Sequence, residues 1–574
     1  MSARELIIEH LDLWTGAVTK KSSSGRGSNS KVELTGIKKL RELILELAVR
    51  GSLVDQDPGD ESAQELLEQC LKAKTASVEL GKLKKTRKHS TITSDDIPFD
   101  LPQGWVWSRL DDLVRVINGR AYKKHEMLSS GTPLLRVGNL FTSNDWYYSD
   151  LELEEDKYID SGDLIYAWSA SFGPFIWDGG RAIYHYHIWK LDLFDGEAVD
   201  KRFLYLYLKA ITEEIKSSGS GIAMVHMTKA KMEELIVPVP PLEEQHRIVQ
   251  KVDELMALCD RLEQQTSDQL EAHETLVDTL LGTLTQSENA TELADNWARL
   301  AAHFDTLFTT EQSIDKLKQT ILQLAVMGRL VEQDAGNEPA SKLLNRIEKK
   351  KAKLINSKAI KRSKPLPPVT IDEASAELPA GWAWTRLGSI AEINPRNVGD
   401  DTQEASFIPM PLVTTSYHGE HGDEPRNWGE IKKGYSHFAN GDIGLAKITP
   451  CFENSKAAVF RNLRNGIGAG TTELHVARPL SSAINPYFLL LFLKSPRFLT
   501  EGEKVMTGSA GQKRVPKSYF AETPLALPPE EEQHRIVQKV DELIALCDQL
   551  KERLNQASKT RCQLAEAVVE NALN

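Results

Sequence analysis

Three segments of this chain occur twice, in an order that simple tandem copying does not produce. Residues 240–262 read PPLEEQHRIVQKVDELMALCDRL and return at 528–550 as PPEEEQHRIVQKVDELIALCDQL. LRELILELAVRGSLV from Leu40 returns from Leu317 as LKQTILQLAVMGRLV, and LPQGWVWSRL from Leu101 returns from Leu378 as LPAGWAWTRL. The middle of the chain, about 240–377, therefore reads as the C-terminal end followed by the N-terminal end. That order predicts two equivalent halves closed roughly into a ring, with the chain ends near each other. Two equivalent halves predict a ligand with two equivalent sites.

The offset between copies is 277 residues at LPxGW and 288 at PPxEEQ, so the difference of 11 falls within the segments 101–240 and 378–528. Those two segments barely resemble each other, and each has the length of one domain. A duplication that merely drifted would spread its differences evenly. Here they are concentrated, which predicts one scaffold carrying two heads of different specificity.

A length of 574 residues suggests three or four domains, and the composition is that of an ordinary globular protein. No apolar run approaches the ~18 residues of a membrane span. The N-terminus, MSARELIIEHLDLW, carries charges where a signal peptide has its apolar core. Five scattered cysteines form no CxxC or zinc spacing and fit a reducing cytoplasm. The net charge of −12 does not advertise a nucleic-acid binder.

Each PPxEEQ opens a long helix, because the prolines end the preceding strand and the glutamates suit the positive end of the helix dipole. Ile248, Val252, Leu255, Cys259 and Leu262 then fall at heptad spacing, as do Ile536, Val540, Leu543, Cys547 and Leu550. Each seam is narrow and needs a partner, and the other long helix, antiparallel, is the expected one. About 28 residues of helix would span about 42 Å, a little more than one DNA turn. Cys259 and Cys547 are read as small buried apolar residues. Upstream, residues 2–18 and 37–49 read as helices, and Asp60 and Ser62 can cap another. The stretch 20–31 reads as a Gly/Ser-rich linker, and basic runs from Lys82 and up to Lys364 precede the two inserts. The inserts alternate short strand-like runs with polar turns and carry a helix near the end, an α+β pattern.

Motifs for chemistry are missing. Every Pro-Pro pair fails the [ND]PP[YF] pattern that grips a flipped base, and neither GxxxxGK[ST] nor HExxH occurs. His185 and His187 sit two apart, which suits a polar or base-reading face better than a metal site without a third ligand.

These segments match a known family. The chain resembles the specificity subunits (HsdS) of Type I restriction-modification systems, over essentially its whole length. The PPxEEQHRIVQKVDEL, LAVxGxLVxQD and LPxGWxWxRL repeats carry the resemblance, with Asn118–Leu140 and Gly441–Phe460 inside the inserts. The N-terminal region through Gly27 is similar to one subgroup of the family, that with an extended N-terminus. INPRN at 393–397 departs from INGRAYKK, so residues are not transferable between the heads.

The resemblance implies an α+β fold of two target-recognition domains joined by long antiparallel helical spacers. The expected domains are an N-terminal helical region with a basic linker (1–98), a recognition domain (99–241), a central helical spacer (242–376), a second recognition domain (377–529) and a terminal spacer helix (530–574). It implies a non-enzymatic reader of double-stranded DNA, each head reading half of a split site. Two methyltransferase subunits, using S-adenosylmethionine, and ATP- and Mg2+-dependent restriction subunits would be its partners. This chain itself would hold no cofactor and no metal.

Sequence is read by side chains at base edges, while phosphate contacts only position the protein. In the first head the residues of the right type are Arg120, Tyr122, Lys123, Lys124, Arg136, Asn139, His226 and Lys229. In the second they are Asn394, Arg396, Asn397, Lys447, Asn454, Lys456, Gln512, Lys513, Arg514 and Lys517. The first insert holds 15 Lys+Arg against 20 Asp+Glu and the second 16 against 14, so partner subunits are expected to supply much of the phosphate contact. The alternatives are a coiled-coil scaffold whose heads bind protein or glycan, and an enzyme with an unrecognised site.

Overall fold

The computed structural model describes residues 7, 9–20, 32–80, 91–169, 171–217, 228–288, 290–362, 364–374, 377–509 and 511–573. His226, the basic run 82–89 and the linker beyond Lys20 lie outside them. Nine of the helices among the described residues carry the packing of the two units. They are α1 (Thr35–Val49), α2 (Ala63–Glu79), α3 (Lys201–Ser217), α4 (Leu242–Gln286), α5 (Glu311–Val326), α6 (Ala340–Asn356), α7 (Pro486–Lys494), α8 (Pro496–Lys504) and α9 (Glu530–Leu573). Ser62 caps α2 as expected, accepting from the Gln64 N–H. The two long helices run 45 and 44 residues, well past the expected length of about 28, because the sequences beyond the repeat stay helix-forming although they no longer match each other.

The chain divides into two compact units, Met1–Gln269 with Ala557–Asn574, and Leu270–Gln556. Each long helix thus contributes its start to one unit and its end to the other. In the first unit Ile248, Val252, Leu255 and Cys259 share one apolar cluster with Ile37, Leu40, Leu43, Ile44 and Leu47 of α1 and Ala565 of α9. Arg41 on α1 fixes the register by donating to Asp260 (2.7 Å) and Glu263 (2.5 Å) on α4. In the second unit Ile536, Val540, Ile544 and Cys547 cluster with Ile314, Leu317, Ile321 and Leu324 of α5, and Lys551 pairs with Asp315 at 2.8 Å.

The expected seam-to-seam pairing is therefore corrected: the two seams lie in separate clusters. The helix of the LAVxG repeat presents an apolar ridge at matching spacing and joins each seam, and the far end of the other long helix adds Ala565 to the first cluster and Val277, Leu281 and Leu284 to the second. Leu262, Leu543 and Leu550 are only half-buried, and Ile544 takes the buried place next to Leu543.

The remaining repeats meet in one structural lock, built once per unit. The LAVxG turn puts Gly51 at φ 71° and Gly328 at φ 69°, where a Cβ would meet Pro102 and Trp105, or Pro379 and Trp382, at under 3 Å. Gln56 then donates to Glu244 (3.2 Å), and Trp382 donates to Glu532 (2.9 Å). Burial pushes both glutamates above the usual carboxylate range. The next residue, Gln245, is fully buried, accepting from the Asp200 N–H and donating to Pro240 O and Ala198 O; Gln533 does the same with Asn485, Pro528 and Ala483. Sequence motifs that are hundreds of residues apart are alike because they are parts of the same joint.

The first head contains β1 (Val106–Arg109), β2 (Val114–Asn118), β3 (Thr132–Leu135), β4 (Tyr147–Ser149) and β5 (Tyr158–Ile159), then β6 (Leu164–Ser169), β7 (Ser171–Ile176), β8 (Ala182–Tyr184), β9 (Ile188–Leu193) and β10 (Ile236–Val239). The second contains β11 (Ala383–Arg386), β12 (Ala391–Ile393), β13 (Glu404–Ile408), β14 (Glu424–Asn427) and β15 (Ser436–Ala439), then β16 (Ile443–Ala446), β17 (Ala457–Val459), β18 (Ile467–Gly470), β19 (Leu474–Pro479) and β20 (Pro524–Leu527). Sheet orders are β2-β9-β6-β7 and β4-β3-β8-β5 in the first head, and β12-β19-β16-β17 and β14-β13-β18-β15 in the second. The β3–β8 and β13–β18 pairs are parallel, and the other pairs are antiparallel. Each head enters and leaves through one antiparallel ladder, β1 with β10 and β11 with β20. Two inserts with little sequence in common thus share one topology, strand for strand.

Candidate nucleic-acid interface

In the first head the ends of β2, β3 and β8 meet. Arg120 bridges to His185 in parallel register, its N–H reaching Tyr184 O (3.1 Å), and the His185 N–H reaches Leu135 O (2.9 Å) beside Arg136. His185, Tyr186 and His187 link β8 to β9, with Tyr186 and His187 in the turn, and Trp168 closes over it 4.9 Å from His187. The two imidazoles stand 4.9 Å apart. Burial, then His187 and Arg136, pull His185 down to about 4, so it is neutral at physiological pH and can donate or accept.

Within this rim the candidate residues separate. Arg120 is committed to Glu126 at 2.7 and 3.1 Å; that pairing, with the Lys123 N–H, draws the Glu126 carboxyl down to about 2. Tyr122 does not face solvent as expected: its ring is buried with Leu134 and Ile183, and burial pushes its hydroxyl up to about 12. Asn139 ties its own loop, donating to Asp145 O (2.9 Å), and Lys229 pairs with Glu233 along its helix. Lys123 and Lys124 are exposed, and Arg136 is exposed over the Tyr147 ring at 5.2 Å. Half-exposed Phe141, Trp146, Tyr147 and Tyr186 were not singled out in the sequence. The one available signal was WYY, an aromatic run flanked by polar residues with no strand alternation.

In the second head the corresponding loops are closed by Arg514, which bridges to Thr507 and to Ile448. The Lys447 N–H bonds to Glu473 O, the Val515 N–H to Lys447 O and the Thr449 N–H to Lys513 O. Arg514 is held by Glu473 (2.8 Å), which lies below its usual pKa for that reason. Lys447, Lys513 and Lys517 remain without an ion pair among the described residues, and Lys447 and Lys517 act together on His475, which burial holds at about 4. Gln512 and Asn454 are exposed. Asn394, Arg396, Asn397 and Lys456 are instead occupied by the backbone: Asn394 accepts from the Val476 N–H, Arg396 donates to Tyr435 O, Asn397 to Phe438 O and Lys456 to Met410 O. Side chains of the right type thus divide into loop braces and free groups. Braces cannot be told from free groups by residue type.

One brace carries a pH signature. Lys494, at the end of α7, is 4% exposed and donates to Ser455 O (2.7 Å) beneath the 447–456 loop. Burial lowers its ammonium from 10.5 to about 7. Between those values the unfolded chain holds a proton that the folded side chain has lost. The stability at this position is therefore fully present above 10.5 and is lost as pH falls through about 7. Lys494→Met should gain on the parent as pH is lowered from about 9 to about 6, with Tm moving about 2–4 °C per kcal/mol. A Tm difference that stays constant over that range would mean that the side chain does not titrate there.

The family described as Type I restriction modification DNA specificity domain matches residues 102–272 and 379–559, each match spanning a head and the start of its long helix. The Escherichia coli Type I restriction enzyme EcoEI specificity subunit is 37% identical and the EcoAI specificity subunit 35%, each over 100% of both chains. The chain belongs to this family. It is a DNA-recognition specificity subunit of a Type I restriction-modification complex, a non-catalytic component. A solved chain from work on assembly and conformational transition of the type I R-M system aligns at 19% identity, covering 83% of this chain and 99% of its own, with a TM-score of 0.45. Among the described residues of this specificity subunit, no helix is long and apolar enough to cross a membrane.

Proposed function

We propose that each head reads one half of a split, asymmetric sequence in double-stranded DNA. The observation that carries this reading is one strand topology presenting two unlike sets of rim residues. In the first head Lys123, Lys124 and Arg136 reach the DNA. In the second Lys447, Asn454, Gln512, Lys513 and Lys517 do so, while Arg120, Arg514, Asn139, Asn394 and Asn397 hold the loops in shape. The two halves are related by a pseudo-two-fold and close as a ring, with α4 and α9 setting the gap between words. Two methyltransferase subunits dock on these helices and supply S-adenosylmethionine-dependent methylation of adenine; separate restriction subunits use ATP and Mg2+. A map of adenine methylation across a genome, with and without the chain, tests this. A split motif that vanishes on deletion supports it, and an unchanged map refutes it.

The helices as ruler make a separate prediction. Inserting four residues after Leu262, about one turn and about 6 Å of helix, should lengthen the gap and leave both words as they were. Methylation at the original spacing would show that the gap is set elsewhere.

A further inference from the structure

Helices α2 and α6 are equivalent, residue for residue, at the offset of 277. Ala63, Leu66 and Cys70 are buried on α2; Ala340, Leu343 and Ile347 are buried on α6. Lys74 donates to Asp111 and Asp112 at the start of the first head, while Lys351 donates to Gly388 O (2.6 Å) at the start of the second. The packing face is preserved. The neighbouring flank is not: Glu65, Gln69, Lys72, Ala73 and Ala76 on α2 stand where α6 has Lys342, Arg346, Lys349, Lys350 and Lys353.

Those five cations recur at i, i+4, i+7, i+8 and i+11, so they line one side of α6 over about 17 Å. All five are exposed. Arg346 pairs with Glu338, and the other four form no ion pair among the described residues. The α2 sequence, which keeps only Lys72 of the five cations and has Glu65 in the same row, demonstrates that the joint folds without this excess of charge. The fold does not require it, and it costs self-repulsion in a chain whose net charge is −12 only because acids lie elsewhere. We infer that the α6 flank is a second DNA contact, to the phosphate backbone next to the word read by the second head and outside that word. The inference rests on the reading that the heads bind DNA. A duplex supplies regularly spaced phosphates along a rod, which a straight row of cations fits, and contacts to phosphates position a protein without reading sequence. The contact is confined to one side of the site, since α2 lacks it.

The test uses the full chain assembled with its methyltransferase subunits. Binding is measured by fluorescence anisotropy across a salt series, on a duplex carrying the mapped site with about two turns of flanking DNA beyond the second word, and on one trimmed at that word. The variant is Lys342→Gln, Arg346→Gln, Lys349→Gln, Lys350→Gln and Lys353→Gln together. On the long duplex the slope of log K against log salt should flatten by about 0.9 per lost phosphate contact, about 3–4 in all. Affinity at low salt should fall at least tenfold. On the trimmed duplex the variant and parent should match. An unchanged slope on the long duplex overturns the inference, as does failure of the variant to assemble, which would make the flank a protein-binding face. The methylated motif should be identical in variant and parent; a changed motif would count against the division of labour between heads and helices, not against phosphate binding.

Discussion

Replacing residues 101–240 with the head of another family member is expected to change one half of the methylated sequence and leave the other half untouched. The boundaries are set by structure. The head enters on β1 and leaves on β10, which are paired from Val106↔Val239 to Arg109↔Ile236. A graft cut at these two ends therefore moves both strands of the ladder together, and the donor's own LPxGW must rebuild the lock against Gly51 and Glu244. The donor must supply apolar residues where Leu110, Leu113, Phe203 and Val237 join the helical cluster. The effect is large because a specific site is bound about 10³- to 10⁷-fold more tightly than random DNA, so methylation at the old word should drop to background. Methylation mapping of cells carrying the chimera decides the matter: if both words change, the heads do not read independently.

Trp382→Ala should be among the most damaging single substitutions in the second unit. The indole is 7% exposed, lies edge-on to Phe488 at 6.2 Å, and covers Gly328 where no Cβ could fit. Truncating a buried Trp costs about 3–5 kcal/mol. Glu532 would also lose its nearer donor while still buried, keeping only Gln333 at 3.5 Å, which adds about 1 kcal/mol. Trp382→Phe separates the two effects, since it retains most of the apolar volume and loses only the N–H. Calorimetry should show a transition involving the 270–556 unit moving down by many degrees for Ala and by a few for Phe, with the other unit's transition changed less. Equal shifts for the two variants would show that the hydrogen bond to Glu532, and not packing, is what the indole supplies.

The helices were legible in sequence because their signals are local. Heptad spacing from Ile248 to Cys259, prolines before glutamates, and Ser62 at a cap each act within a turn or two. The partner of each seam was not, since an apolar stripe specifies that something must cover it and not what. The rim was half legible. Its location follows from turn glycines and polar loops, and Lys123, Lys124, Lys513 and Lys517 are exposed as expected. Tyr122, Asn397 and Arg514 carry side chains as suited to DNA as those, yet they are spent on Leu134, Phe438 O and Glu473.

Read alone, the sequence determined the duplicated set of motifs, the family and the sites of the long helices, because repeats and periodicity survive without coordinates. Tertiary structure alone decided that two inserts with little sequence in common share a strand order, that the LAVxG, GW and EEQ repeats close one joint in each unit, and which cations remain free. Each of those depends on pairing between residues far apart in the chain, and long-range pairing leaves no period in the sequence to read.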